Sequence, residues 1–215
     1  MKNGLFIFTG AFATLALSWA GVVLTANNHL GSLTQYKDPV EDTLFPAPLT
    51  GIANQGRLVY QDLGCVSCHT QQVRRAGFGS DIDRKWGTRQ SVARDYIREK
   101  TVLIGSSRFG PDLRNVGVRI PDADYFYKLL STPEANFAGA PLAHGMPAYS
   151  FLFEVRPTGT VQSSHQAIKV TADGQEIVPT ARAQALVAYL LSLKDTYEYP
   201  EAKPFVETEK KEGGK

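Results

Sequence analysis

Cys65-Val66-Ser67-Cys68-His69 holds both cysteines of the chain. Two thiols one helical turn apart, followed at once by an imidazole, suit a particular chemistry. Each thiol can form a thioether to a vinyl group on one porphyrin edge, and the next residue places its imidazole under the iron. The pattern therefore predicts one covalently bound haem c, attached at Cys65 and Cys68, with His69 as an iron ligand. A zinc site would need further ligands, and only His29, His144 and His165 remain, with no second cysteine pair. A thioredoxin-like dithiol would not need the histidine and would sit in a βαβ pattern.

An iron held for electron transfer needs a second ligand opposite His69. Apart from Met1, the one methionine is Met146, in Gly145-Met146-Pro147-Ala148-Tyr149, a stretch without amphipathic periodicity. A thioether there raises the reduction potential relative to a second imidazole, and Met/His pairs are common in cytochromes c. Met146 is the expected ligand and His144 its rival. Gly110-Pro111-Asp112-Leu113 is the third piece. Pro111 has no N–H, but its carbonyl can accept a hydrogen bond from the proximal imidazole and make His69 a better donor. Arg74, Arg75, Arg108 and Arg119 lie near these pieces in sequence, and one or two of them could fork onto haem propionates. Arg74 and Arg108 are the two favoured.

These residues have to be positioned by the rest of a 215-residue chain, long enough for one or two domains. A net charge of +2 is too small to argue for a nucleic-acid partner. Composition is ordinary for a globular protein. Residues 5–26 carry no charge, and Lys2 precedes them. A helix of roughly 20 residues spans the hydrocarbon core, whereas a secretory signal has a shorter apolar region and a small-x-small cleavage site. Thr25-Ala26-Asn27 is a poor cleavage site, so residues 1–26 read as an uncleaved anchor. No basic residue follows until Lys37, and the positive-inside bias puts the N-terminus in the cytoplasm and the remainder in the periplasm. Haem attachment outside the cytoplasm agrees. Gly10, Thr14, Ser18 and Gly21 recur at helical spacing, as they would on a face packed against another membrane helix. Background composition explains that row equally well.

Residues 27–50 look like a tether, interrupted by Asn27, Asn28, Gly31, Pro39, Pro46 and Pro48. A helix is expected over 50–63, with Ile52, Gly56, Val59 and Leu63 on its buried stripe and Gly64 ending it. A second should start at Pro121 or Asp122 and end before Pro133, with Phe126, Leu129 and Leu130 inward. A last helix should run from Thr180 to Lys194, burying Ala183, Leu186, Leu190 and Leu193. Gln166–Thr171 and Gln175–Val178 flank Asp173-Gly174, a hairpin signal that predicts a two-stranded insertion within 151–179. Residues 200–215 have the composition of a disordered tail.

With these pieces assembled, the chain resembles the mono-haem subunit II of cbb3-type (C-family) haem-copper cytochrome c oxidases. The resemblance runs through the anchor and Gly64-Cys65-Val66-Ser67-Cys68-His69-Thr70-Gln71, with Arg74 five residues after the histidine. It continues through the run from Arg108 to Gly117, Met146-Pro147-Ala148-Tyr149 and Ala185-Leu186-Val187-Ala188-Tyr189-Leu190. It implies a mainly α protein: one transmembrane helix plus a class I cytochrome c domain over 51–199, with the small β-hairpin insertion. It further implies an electron-transfer subunit of a terminal oxidase, in the bacterial inner membrane, with no oxygen-reducing site of its own. The implied partners are the catalytic haem-copper subunit and a further cytochrome c subunit, with a periplasmic cytochrome c as a possible donor. Two other readings stay open: the haem c subunit of a nitric oxide reductase, and a free-standing membrane-anchored cytochrome c shuttle.

Overall fold

The uncharged N-terminal run forms one long helix. In the computed structural model, which describes residues 3–49, 51–131, 146–158, 167–170 and 174–202, it comprises α1 (Gly4–Trp19), a π turn (Ala20–Leu24) and α2 (Thr25–Leu30). The whole is 27 residues, or about 40 Å at 1.5 Å per residue, enough to cross a hydrocarbon core of about 30 Å. Its apolar side chains are exposed along its length, as expected of a surface made for lipid. The helix outruns the expected end at Ala26. Asn27 and Asn28 are weak helix formers but do not break it, and Gly31 closes it by donating its N–H to the Asn27 carbonyl at 2.8 Å.

The chain divides into two compact units. The first is Met1–Pro46 with Val92–Lys100, and the second is Ala47–Ser91 with Thr101–Lys215. In the first, β1 (Tyr36–Lys37) and β2 (Leu44–Phe45) pair antiparallel within the stretch expected as tether. Asp38 turns the chain between them by accepting the N–H groups of Val40 and Glu41. Arg94 donates to the Thr34 carbonyl and Arg98 to Gln35 Oε1, which ties residues 92–100 to this region.

The second unit is built on a crossing of α3 (Gly51–Asp62) and α6 (Ala181–Ser192). Gly56 makes the crossing close. A Cβ there would fall 1.8 Å from the Ala185 carbonyl oxygen. One turn on, the Tyr60 and Tyr189 rings meet edge to face at 5.4 Å, both fully buried. Burying such a side chain contributes roughly 1.5–3 kcal/mol, so this pair is a large part of what holds the two helices. The buried stripe of α3 is Gly56, Val59 and Tyr60, with Leu63 at its edge, whereas Ile52 is exposed. The expected stripe is thus corrected at its first turn, because the helix rotates to seat Tyr60 on α6. Thr180 caps α6, its hydroxyl accepting from the Ala183 N–H and donating to the Leu152 carbonyl at 2.8 Å; such a cap is worth about 1 kcal/mol. Ala183, Leu186, Leu190 and Leu193 are buried as expected.

Two shorter helices, α4 (Val116–Arg119) and α5 (Ala123–Ser131), pack on α6. Phe126 and Leu130 are buried, and Leu129 only partly. The sheet departs from expectation. The antiparallel pair of β4 (Lys169–Val170) and β5 (Gln175–Pro179) is there, but β3 (Phe153–Pro157) joins β5 on its other side, so the two-stranded insertion is three-stranded. Arg156 lies opposite Glu176 in that register and donates to it at 2.7 Å. The long connection after Pro157 hides this pairing from local turn signals. Pro200–Ala202 forms a 3₁₀ turn with Ala202 buried. The tail from 203 onward lies outside the described residues.

Candidate haem site

Gly64 adopts φ 69° immediately after α3, the left-handed position that glycine takes without strain. It turns the chain into a 3₁₀ turn, Cys65–Ser67. The His69 N–H donates to the Cys65 carbonyl at 2.9 Å, so the motif is wound as a helical turn. Cys65 is half-buried and Cys68 exposed, and neither is in a disulfide. Burial pushes the Cys65 thiol up to about 11. A dithiol redox centre needs the opposite, a thiol lowered toward neutrality.

His69 Nδ1 lies 2.8 Å from the Pro111 carbonyl oxygen. A carbonyl can only accept, so Nδ1 carries the hydrogen and Nε2 is left with its lone pair. Burial lowers the His69 pKa, opposed by the Pro111 hydrogen bond, and so favours the neutral imidazole that a metal requires. Gly110 gives the ring its place: a Cβ there would sit 2.1 Å from His69 Cε1.

The Pro111 loop is held along the backbone that follows the motif. The Gly110 N–H donates to the Cys68 carbonyl at 2.9 Å, and the Leu113 N–H to the Thr70 carbonyl at 2.8 Å. The fully buried Asp112 accepts from Thr70 Oγ1 at 2.6 Å, from the Gln72 N–H at 2.8 Å and from the Arg114 N–H at 2.9 Å. Below the motif, Gln71 is buried and accepts from the Tyr189 hydroxyl at 3.0 Å, which links the site to the helix crossing.

Met146 is half-buried and packs, with Cys65, Val66 and Tyr149, against the same hydrophobic core. Tyr149 anchors this loop through its N–H to the Leu130 carbonyl. Burial raises the pKa of its hydroxyl, and the Cys65 and Cys68 thiols raise it further. His144, the rival ligand, lies outside the described residues.

The arginines sort unexpectedly. Arg74 and Arg108 both pair with the buried carboxylate of Asp81, Arg74 at 2.9 Å and Arg108 at 2.5 Å. Arg75 lies over the Phe78 ring. Arg119 donates through Nη2 to the Asp112 carbonyl, yet its buried Nε has no hydrogen-bond partner among the described residues. Burial lowers its pKa, the mark of a desolvated cation. No local motif announces Asp81. It lies in an aperiodic stretch, and only the folded chain brings it between two arginines.

These observations fit a haem. The motif offers two thiols and an unengaged imidazole nitrogen, Gly110 leaves room for the ring, and a buried guanidinium has a donor to spare for a carboxylate. Among the described residues, no three His, Cys, Asp or Glu side chains group as a site for a bare ion.

The model of the family described as cytochrome C oxidase, mono-heme subunit/FixO, matches residues 5–173. The chain belongs to this family. Nothing among curated proteins matches it. The mono-heme subunit is thus part of an oxidoreductase complex, associates with partner oxidase subunits and a membrane, and works in electron transfer with one haem. Its N-terminal helix has the length and composition that membrane association asks for.

Proposed function

We propose that this chain is the anchored electron relay of a cbb3-type oxidase. In this reading it carries one haem c on Cys65 and Cys68 and passes electrons to the catalytic haem-copper subunit. The anchor lies in the bacterial inner membrane with the haem domain in the periplasm. A bound haem supplies a one-electron iron couple. The chain's own residues do the rest. His69 offers Nε2 to the iron, and the Pro111 carbonyl fixes the ring and raises its basicity through Nδ1–H. Met146 would supply a thioether to the iron, which favours the reduced state. Arg119, whose buried Nε has no hydrogen-bond partner among the described residues, would receive a propionate. The α3–α6 crossing next to the motif supports the class I cytochrome reading of the second unit.

The observation that carries the proposal is the His69–Pro111 bond, which leaves Nε2 of a C-x-x-C-H histidine free for a metal. The family match weighs for the oxidase over a nitric oxide reductase or a solitary shuttle. One preparation tests it. The chain is purified in mild detergent with whatever accompanies it, its haem is quantified by pyridine haemochrome, and a sample is extracted with acid acetone. The expected result is one c-type equivalent that resists extraction, with a haem-copper subunit co-purifying. Complete extraction, or a partner set without an oxygen-reducing subunit, overturns it.

A further inference from the structure

We propose that Asp81 is a positioning residue for the proximal histidine: through Arg108 it holds residues 108–113 against 68–72, and so keeps the Pro111 carbonyl on His69 Nδ1. The proposal rests on His69 being the haem ligand.

Pro111 has no N–H, so no backbone donor of its own can fix its carbonyl. Its orientation comes from its neighbours. On one side, Gly110 and Leu113 bond to Cys68 and Thr70, and Asp112 grips Thr70 and Gln72. On the other side stands Arg108, whose planar fork spans two partners. Nη1 donates to Asp81 Oδ1 at 2.5 Å, and Nη2 donates to the Gln72 carbonyl at 2.7 Å. Nη2 also lies 3.8 Å from Asp112 Oδ2. One guanidinium therefore joins three segments, at residues 72, 81 and 112, around the loop that presents Pro111.

Asp81 is the acid that sets this fork. It is fully buried, and its carboxylate also accepts from the Arg74 N–H at 2.8 Å and from Arg74 Nη2 at 2.9 Å. The loop wraps the Arg74 guanidinium so closely that a Cβ on Gly79 would sit 2.5 Å from Arg74 Cζ. A buried carboxylate between two arginines is costly to desolvate and strongly disruptive to break on one side. Without the Asp81 charge, Arg108 loses the partner that aims its fork. Its second branch then leaves the Gln72 carbonyl, and the clamp opens at its Arg108 end.

The test uses the full, haem-loaded chain in detergent, labelled with ¹⁵N-histidine and reduced so that it is diamagnetic. Pyridine haemochrome is run first on the same sample; a chain without covalent haem overturns the haem reading and this proposal with it. Solvent exchange of the His69 Nδ1–H and the midpoint potential are then measured for Asp81→Asn. Arg108→Lys is the second variant, since an ammonium keeps the charge but cannot bridge Asp81 and Gln72 as a fork does. Glu176→Gln, which breaks a buried acid–arginine pair in the sheet, controls for general destabilisation. The expected result in both site variants is exchange faster by roughly tenfold or more, as local opening becomes easier, with the potential raised because the histidine is a weaker donor. The sheet variant should match wild type in both. Wild-type exchange in both site variants, or equal acceleration in Glu176→Gln, overturns the proposal.

Discussion

A nitrogen and an oxygen 2.8 Å apart decide the chemistry of His69. Because the Pro111 carbonyl takes the Nδ1 hydrogen, the lone pair is confined to Nε2, and the ring cannot flip without losing its bond. Gly110 makes this possible by having no Cβ to collide with the ring. The proposed role of Met146 as the second haem ligand gives a direct expectation. Met146→Ala should keep the covalent haem, since both thiols remain, yet lose the weak sulfur-to-iron absorption of the oxidised form. The midpoint potential should fall, because the thioether favours the reduced state. Methionine is only half-buried here, so stability should drop by no more than about 2 kcal/mol. Retention of the band with an unchanged potential would assign the ligand elsewhere. The turn of the C-x-x-C-H motif and the His69–Pro111 contact are legible in the sequence, because type and spacing advertise them. Asp81 is not, because a carboxylate in an aperiodic loop has no local signature.

At the scale of elements, the α3–α6 crossing holds the motif in place. Gly56 sits where two effects oppose each other. Glycine to alanine in a helix interior normally stabilises by roughly 0.5–1 kcal/mol. Here the added Cβ would lie 1.8 Å from the Ala185 carbonyl oxygen and 2.8 Å from Tyr189 Cβ. Overpacking of this kind costs about 1–3 kcal/mol, and backbone cannot move aside as a side chain can. Gly56→Ala should therefore be net destabilising by about 1–2 kcal/mol or more in urea melts, and a stabilised variant would mean that the helices do not approach this closely. Exposure decides the anchor helix differently. Its apolar side chains lie open along the whole length, and a Cβ added at Gly10 or Gly21 would meet nothing within 4 Å beyond the helix's own backbone among the described residues.

For the molecule as a whole, three largely buried carboxylates among the described residues hold four arginine partners: Asp81 with Arg74 and Arg108, Asp195 with Arg114, and Glu176 with Arg156. Asp81 makes stability depend on pH. Burial alone would raise the Asp81 pKa, but the hydrogen bonds from Arg74 and Arg108 outweigh it and hold the carboxyl well below its ordinary 3.8. A group lowered on folding contributes stability that is fully present above its unfolded pKa and is lost as pH falls toward the folded one. Denaturant melts should thus show full stability near neutral pH and a decline that sets in as pH falls into the ordinary carboxylate range. Asp81→Asn should be less stable at neutral pH and should show a shallower decline in acid. An equal slope in wild type and variant would remove Asp81 as its source.

Local chemistry and periodicity were enough to determine the long apolar N-terminal helix, the turn of the C-x-x-C-H motif and the long helices of the second unit, because each depends on residues near one another along the chain. The end of α3 at Gly64 belongs with these, since one left-handed glycine decides it. Tertiary structure alone decided which arginines are engaged, which face of α3 is buried, and that β3 joins the sheet. The physical reason is common to all three. Arg74 and Arg108 answer to Asp81, the α3 face to Tyr189 and Ala185, and β3 to β5 across a long connection. Such partners lie far off along the chain, and spacing within a segment carries no information about them.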